Sequence, residues 1–407
     1  MSETKVPASA FDIGEKHKLH GLDHLRAVAI IAVLCFHYQF FGHPEWERGR
    51  ISGFGWTRVD LFFVLSGFLI AGQLFESVAQ AKPVSLREFF IKRFFRIIPP
   101  YALVLALYLA IPAAREWGHL SPLWKYFTFT LNFGQDPGKY GTFSHAWSLC
   151  VEEQFYLLLP LVFWLFSFGK PGKKPFSLVG ALFIAGIILR QFSWKYFAGP
   201  YLDTDSFGAK WNEFVYYPTY NRLDGLLAGV SIAGLFTFYP AVKNWVNRHC
   251  YAILVTGVLL LTAAWRICNI YASYATSTYG FPIVSLGYGL VLAAFVSPSC
   301  IFYRLKSKVT SFIATLSYAI YLSHKIVIHL VQKQLESFGL DKNSVWTMLI
   351  CAVCIVAGAL LIRYLIEKPA LKMRNRILEK LKSRKKIVAE PKYIALEFPP
   401  RGGQGGV

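Results

Sequence analysis

Apolar runs of about twenty residues, each long enough for a membrane-crossing helix and set off by short polar or basic stretches, give the chain its pattern. In chain order they predict ten helical spans. These cover residues 21–41, 55–75, a third that follows Arg96 and ends before Pro112, a fourth that opens near His145, and then 176–192, 216–239, 251–270, 280–296, 310–331 and 345–366. Basic residues gather in alternate connections. They concentrate in the second, fourth, sixth and eighth connections and in the tail: the densest internal cluster is Lys82, Arg87, Lys92, Arg93 and Arg96, Lys170, Lys173 and Lys174 follow the fourth span and Arg304, Lys306 and Lys308 the eighth, while Arg48 and Arg50 stand in the first connection. By the positive-inside rule this alternation places both termini in the cytoplasm.

The expectation is an all-α, polytopic integral membrane protein of about ten transmembrane helices. Residues 1–19 read as a polar cytoplasmic tail and 20–368 as one membrane domain. Residues 369–407 read as a basic tail that starts as a membrane-surface helix and gives way to disorder. No internal repeat is visible, and the first apolar run lacks the short core and small-residue cleavage site of a signal peptide.

Composition agrees. Of 407 residues 55% are hydrophobic and only 16% charged, too apolar for a soluble globular chain of this size. The formal net charge of +20 would suggest nucleic acid if it formed a patch. It lies instead between apolar runs and in the tail, where topology and anionic lipid account for it, so nucleic acid is not expected as a partner. The seven cysteines are scattered, mostly within apolar runs, and predict no disulfide framework. Cys351 and Cys354 have CxxC spacing inside a span, where small apolar packing is the expected role. No metal site is expected.

The chemistry must come from polar groups inside the spans, which are costly there and tend to line a path or a reaction site. Arg26 and His37 share one helix. Eleven residues along a helix rise roughly 16 Å and return almost to the same face, so one stripe carries a fixed cation and an imidazole. The topology sorts Arg26, Arg93, Arg96, Glu367 and Lys368 to the inner side and His37, Asp60, His145, Glu152, Glu153, Asn221, Arg222 and Asp224 toward the outer side. His145 and Glu152 are seven apart and share a face; Glu153 points about 100° away. Glu152 and Glu153 are candidates for proton transfer, and equally for an ion pair between helices. Arg222 and Asp224 are expected to pair with each other or with a neighbouring span, and Gly225 with Gly229 to form a close helix contact. Ser317, Tyr321 and His324 lie on one stripe, but two turns separate the serine from the histidine, too far for a nucleophile pair. Arg93 and Arg96, one turn apart at an expected helix start, suit a phosphate clamp or simple positive-inside anchoring.

Several of these stretches together carry a family pattern: LDHLRAVAIIAVLCFH, VDLFFVLSGFLI, KRFFRIIPPY, HAWSLCVEEQFYLLLP, RLDGLLAG, SYAIYLSH and YLIEKP, in this order over residues 20–368. The chain resembles the acyltransferase family 3 of integral-membrane acyltransferases. The resemblance implies transfer of an acyl group, often acetyl, from cytoplasmic acyl-CoA to a hydroxyl of a cell-envelope or exported glycan, or of a small molecule, in a bacterial inner membrane. It also implies a stand-alone form without a periplasmic hydrolase-like domain. The family's functional residues carry over to Arg26 and His37, to Arg93 and Arg96, and to Glu152 and Glu153.

The physical reading is compatible. Guanidinium groups suit the phosphates of acyl-CoA, and His37 sits where a long thin arm could deliver its thioester. His37 is then the expected general base, with Glu152 or Glu153 orienting it or sharing the proton; a covalent acyl-histidine is the variant. Asp60 and Tyr156 are further candidates. The rival readings are a transporter or flippase whose charges line a substrate route, and a non-catalytic scaffold whose polar groups are interhelical glue.

Overall fold

The computed structural model describes residues 19–42, 54–80, 82, 84–166 and 174–389. The expected features at 1–18, at Arg48 and Arg50, at Lys170 and Lys173, and over 390–407 lie outside the described residues. The principal helices are α1 (His20–Tyr38), α2 (Arg58–Ala79), α3 (Leu86–Ala110), α4 (Trp147–Phe166), α5 (Lys174–Ser193), α6 (Asp224–Phe238), α7 (Cys250–Ile267), α8 (Phe281–Phe295), α9 (Lys308–Ser337), α10 (Val345–Ile362) and α11 (Lys368–Ala389). Among the described residues there is no strand.

Eight described helices are long and apolar enough to cross a membrane, and a ninth is gained if α6 and the short helix Pro240–Arg248 are taken as one span bent by 107°. Pro240 opens that second helix at its first position, where its missing N–H leaves no bond unmade. The all-α, polytopic membrane architecture is therefore what the sequence folds into.

Helix starts follow from local chemistry. Ser85 accepts a hydrogen bond from the Glu88 amide, Ser307 from Thr310 and Ser344 from Trp346, capping α3, α9 and α10. The Ser85 cap corrects one expectation. The third span does not begin near Pro99; α3 starts at Leu86 and carries Pro99 and Pro100 in its interior. Arg93 and Arg96 accordingly sit two turns or more inside a helix, away from the free N–H groups of its first turn.

Packing divides the interior in two. One apolar cluster joins α2, α6, α7 and α8, with Phe63, Phe68, Leu226, Phe281 and Leu292 buried in it. The other joins α3, α9, α10 and the α3–α4 connection through Tyr101, Tyr108, Phe143, Ile320 and Ile355. Helix α1 stands at the seam: Leu22, Leu25 and Ala29 enter the first cluster, Ile30, Val33 and Tyr38 the second. Against α2, the expected small-residue contact of α6 is present. A Cβ on Gly225 would stand 2.9 Å from Phe63 Cβ, and one on Gly229 would collide with the Val64 carbonyl. Helices α5 and α7 bury little of their surface and expose Ile184, Ile188, Val258 and Leu259 on the outside, as lipid-facing helices do.

The α3–α4 connection is a folded wall. Tyr126 and Phe143 are fully buried and stack with ring centroids 5.9 Å apart, while Trp124 and Phe127 remain exposed. Thr142 Oγ1 accepts from the Trp117 amide at 3.1 Å and donates to the Trp117 carbonyl at 2.7 Å, tying the start of this wall to its end.

Candidate active site

Two polar poles lie along α1. At its C-terminal end His37 opens onto a cavity of about 540 Å³ whose lining includes Phe36, Trp56, Trp117, Trp147, Tyr216 and Tyr271, together with His145, Ser144 and Lys325. Rings of this kind offer flat apolar faces, while hydroxyl, imidazole and ammonium groups offer polar contacts, a lining that suits a small polyhydroxylated molecule.

Helix α9 supplies what lies behind His37. His324 is fully buried, and its Nε2 stands 2.9 Å from His37 Nδ1. His145, brought up by the turn before α4, completes a group of three imidazoles. Its ring centroid is 4.9 Å from His324 and 6.0 Å from His37. Tyr321 donates its hydroxyl to the His145 carbonyl at 2.6 Å and accepts from Ser148 at 2.6 Å, which fixes that turn against α9. Among the described residues no group of three or more His, Cys, Asp or Glu is disposed to hold a metal ion.

Next to His324, the Lys325 ammonium is 3.0 Å from Glu116 Oε1, with side-chain exposures of 7% and 0%. Glu116 also accepts from the Phe143 amide at 3.3 Å. Phe143 holds φ 54°, a left-handed conformation rare for a bulky residue, and the 3₁₀ turn containing His145 starts immediately after it. The Phe143 ring is packed among Tyr101, Tyr108 and Tyr126, which holds the turn in place.

The second pole lies near the other end of α1. Arg26 has Arg93 and Arg96 of α3 as electrostatic neighbours, with Tyr156 of α4 beside them. The Arg93 guanidinium lies 5.3 Å from the Tyr156 ring centroid, and its Nε is buried without a hydrogen-bond partner. Tyr156 donates to Glu152 Oε2 at 2.8 Å, and Ser66 donates to Oε1 at 3.0 Å. Glu153 is a further electrostatic neighbour of Arg93. Three guanidinium groups, two of them partly shielded by packed helices, thus gather beside the carboxylates of Asp23, Glu152 and Glu153, and the buried Arg93 Nε keeps a donor to spare.

The structure thus brings Arg26, Arg93 and Arg96 together as expected and leaves His37 at the other pole. It corrects the depth assigned to Glu152 and Glu153, which lie with the arginines and not with the outer set. The oxygens of Glu152 are held by Ser66 and Tyr156, and the polar partner of His37 is His324. The cause is the rise of α4: it starts just after the turn that places His145 beside His37, so Glu152, seven residues beyond His145, is carried about two turns away. Arg222 and Asp224 pair with neighbouring spans, Arg222 with Asp60 at 3.1 Å and Asp224 with Arg190. Ser317 donates to the Ala314 carbonyl at 2.9 Å within its own helix. Neither Lys325 nor Glu116 stands out by spacing or motif in the sequence; the adjacent ionisable pair His324–Lys325 inside an apolar span is the one signal there.

A family model described as an acyltransferase domain matches residues 19–364. The chain belongs to acyltransferase family 3. Within curated proteins it is similar to the O-acetyltransferase OatA of Staphylococcus aureus (strain NCTC 8325 / PS 47), 29% identical over 333 residues that cover 76% of this chain and 50% of that protein. It is also similar to the peptidoglycan O-acetyltransferase OatA of Listeria monocytogenes serovar 1/2a, 28% identical over 370 residues covering 86% of this chain and 55% of that one. This acyltransferase family 3 chain spans about half the length of the curated relatives it matches. No solved structure matches it. Both poles lie within the matched residues.

Proposed function

We propose that this membrane protein transfers an acetyl group from acetyl-CoA, taken up on the cytoplasmic side, to a hydroxyl of a cell-envelope or exported carbohydrate, in a bacterial cytoplasmic membrane. The observation behind this reading is the pair of poles on one helix: a cationic recess at Arg26, Arg93 and Arg96, and His37 about 16 Å further along at the wall of an aromatic-lined cavity. The recess suits the phosphates of the donor, its thin arm can run beside α1, and the cavity suits a sugar. The names and organisms of the two relatives support acetyl transfer and a bacterial envelope setting.

In this reading His37 Nε2 takes the proton of the acceptor hydroxyl as its oxygen attacks the thioester carbon. A C–O bond forms, the C–S bond breaks, and the proton passes from His37 to the departing thiolate. Glu152 and Glu153 act at the donor end: Glu152 holds Tyr156 against Arg93, and both carboxylates balance the clustered positive charge. The test is purified full-length protein in nanodiscs with acetyl-CoA and N-acetylglucosamine tetramer. Appearance of free CoA and of acetylated sugar is expected, with His37→Ala slowed by ~10²–10⁴-fold. Unchanged turnover in His37→Ala removes the assignment of the base. Movement of sugar across the membrane without loss of acetyl-CoA removes the enzyme in favour of a transporter or flippase.

A further inference from the structure

Building on His37 as the base, we propose that His324 is the positioning residue that holds His37 in the tautomer whose Nε2 presents a lone pair to the acceptor. The tautomer follows from which atoms can donate and which can only accept. A backbone carbonyl can only accept, and His324 Nδ1 faces two of them, Tyr321 at 2.8 Å and Ile320 at 3.1 Å. Nδ1 of His324 therefore carries its proton. In the neutral ring Nε2 is then a bare acceptor, and it lies 2.9 Å from His37 Nδ1. The hydrogen between the two rings belongs to His37 Nδ1, which leaves His37 Nε2 unprotonated on a residue that lines the cavity.

One turn back on α1 the Val33 carbonyl is a further acceptor for a His37 ring N–H, and the other polar neighbours are engaged elsewhere. His145 turns its Nε2 to the Leu322 carbonyl at 3.4 Å, Lys325 turns its ammonium to Glu116, and the Tyr321 hydroxyl is engaged by Ser148 and the His145 carbonyl. His324 is fully buried, so no substrate reaches it and its influence passes through His37. The device does for His37 what the carboxylate does for the histidine of a Ser-His-Asp triad, fixing tautomer and ring direction. Here the acceptor is neutral, and its own proton is pinned by a helix backbone.

The experiment compares His324→Leu, His324→Gln and His37→Ala in nanodiscs, following CoA release from acetyl-CoA with N-acetylglucosamine tetramer as acceptor. His324→Leu removes the acceptor and is expected to lower kcat by ~10²-fold while the KM for acetyl-CoA stays within about twofold. His324→Gln, whose Oε1 can accept from His37 Nδ1, is expected to regain at least about tenfold of that loss. Equal kcat in the Leu and Gln variants, or a raised KM with kcat intact, overturns the proposal. If His324→Leu does not elute as a folded species, His324→Met serves as the variant without a nitrogen or oxygen acceptor, under the same criteria. An inactive His37→Ala together with full kcat in His324→Leu overturns the role of His324 and leaves that of His37 standing. Full kcat in His37→Ala, or no CoA release by the unchanged protein, overturns both.

Discussion

Lys325→Met should destabilise the protein far more than Glu116→Gln, and the double variant should recover most of the loss. The two side chains meet at 3.0 Å with 7% and 0% of their surfaces exposed. At that distance an effective dielectric near 20 gives an attraction of about 5–6 kcal/mol, much of it offset by the cost of taking two charges out of water. Removing the ammonium strands a carboxylate that has no access to solvent and whose Oε2 already lacks a partner. A stranded buried charge costs about 3–5 kcal/mol. Glu116→Gln is milder for two reasons: the amide oxygen still accepts from Phe143 and Lys325, and Lys325 lines the cavity, where water can reach it. It is expected to cost about 1–2 kcal/mol. The double variant has no stranded charge and should lie within about 2 kcal/mol of the parent. Reversible unfolding in mixed micelles, followed by intrinsic fluorescence, gives the four free energies of the cycle. A Glu116→Gln loss equal to that of Lys325→Met, or a double variant no better than Lys325→Met, would refute the claim that the Glu116 carboxylate is closed to water and that its pairing with Lys325 holds the α3–α4 wall on α9.

At the donor pole, Arg93→Ala should raise the KM for acetyl-CoA by about 10–100-fold, the worth of a charge-assisted hydrogen bond, with a smaller change in kcat; a steady-state titration of the donor decides it. Trp117→Ala should raise the acceptor KM by about 2–10-fold through loss of one stacking face and leave the donor KM alone, which the same assay reads. Gly229→Ala should markedly lower the folded yield, because its Cβ would meet the α2 backbone. Gly180→Ala, where nothing stands within 4 Å, should be neutral or more stable by up to about 1 kcal/mol; thermal melts in one detergent compare the two.

The helices were legible because lipid demands long apolar runs, and the cationic pole because few explanations exist for Arg26, Arg93 and Arg96 within or beside such runs. The α6 contact at Gly225 and Gly229 could be read for the same reason: small residues four apart have little other use there. The start of α3 was missed because a double proline reads as a helix beginning, and the Ser85 cap, well before Pro99, outweighs it. The partner of His37 could not be chosen from sequence. Glu152 and His324 lie on different helices, and only the pairing of α1 with α9, a tertiary fact, brings an imidazole and not a carboxylate to 2.9 Å. Lys325 and Glu116 were hidden for a related reason, since one lies in a span and the other in a connection more than two hundred positions away.

Because α1 is anchored to a different core at each end, its stretch from Arg26 to His37 works as a ruler whose markings cannot be adjusted singly. Inserting one residue between them would swing the imidazole by about 100° and lengthen the stretch by about 1.5 Å, aiming it at the wrong wall. In the proposed reaction the gap between the anchored head of the donor and the reacting carbon is therefore quantised by the helix, and variation in acyl length would be taken up beyond His37, in the hollow itself.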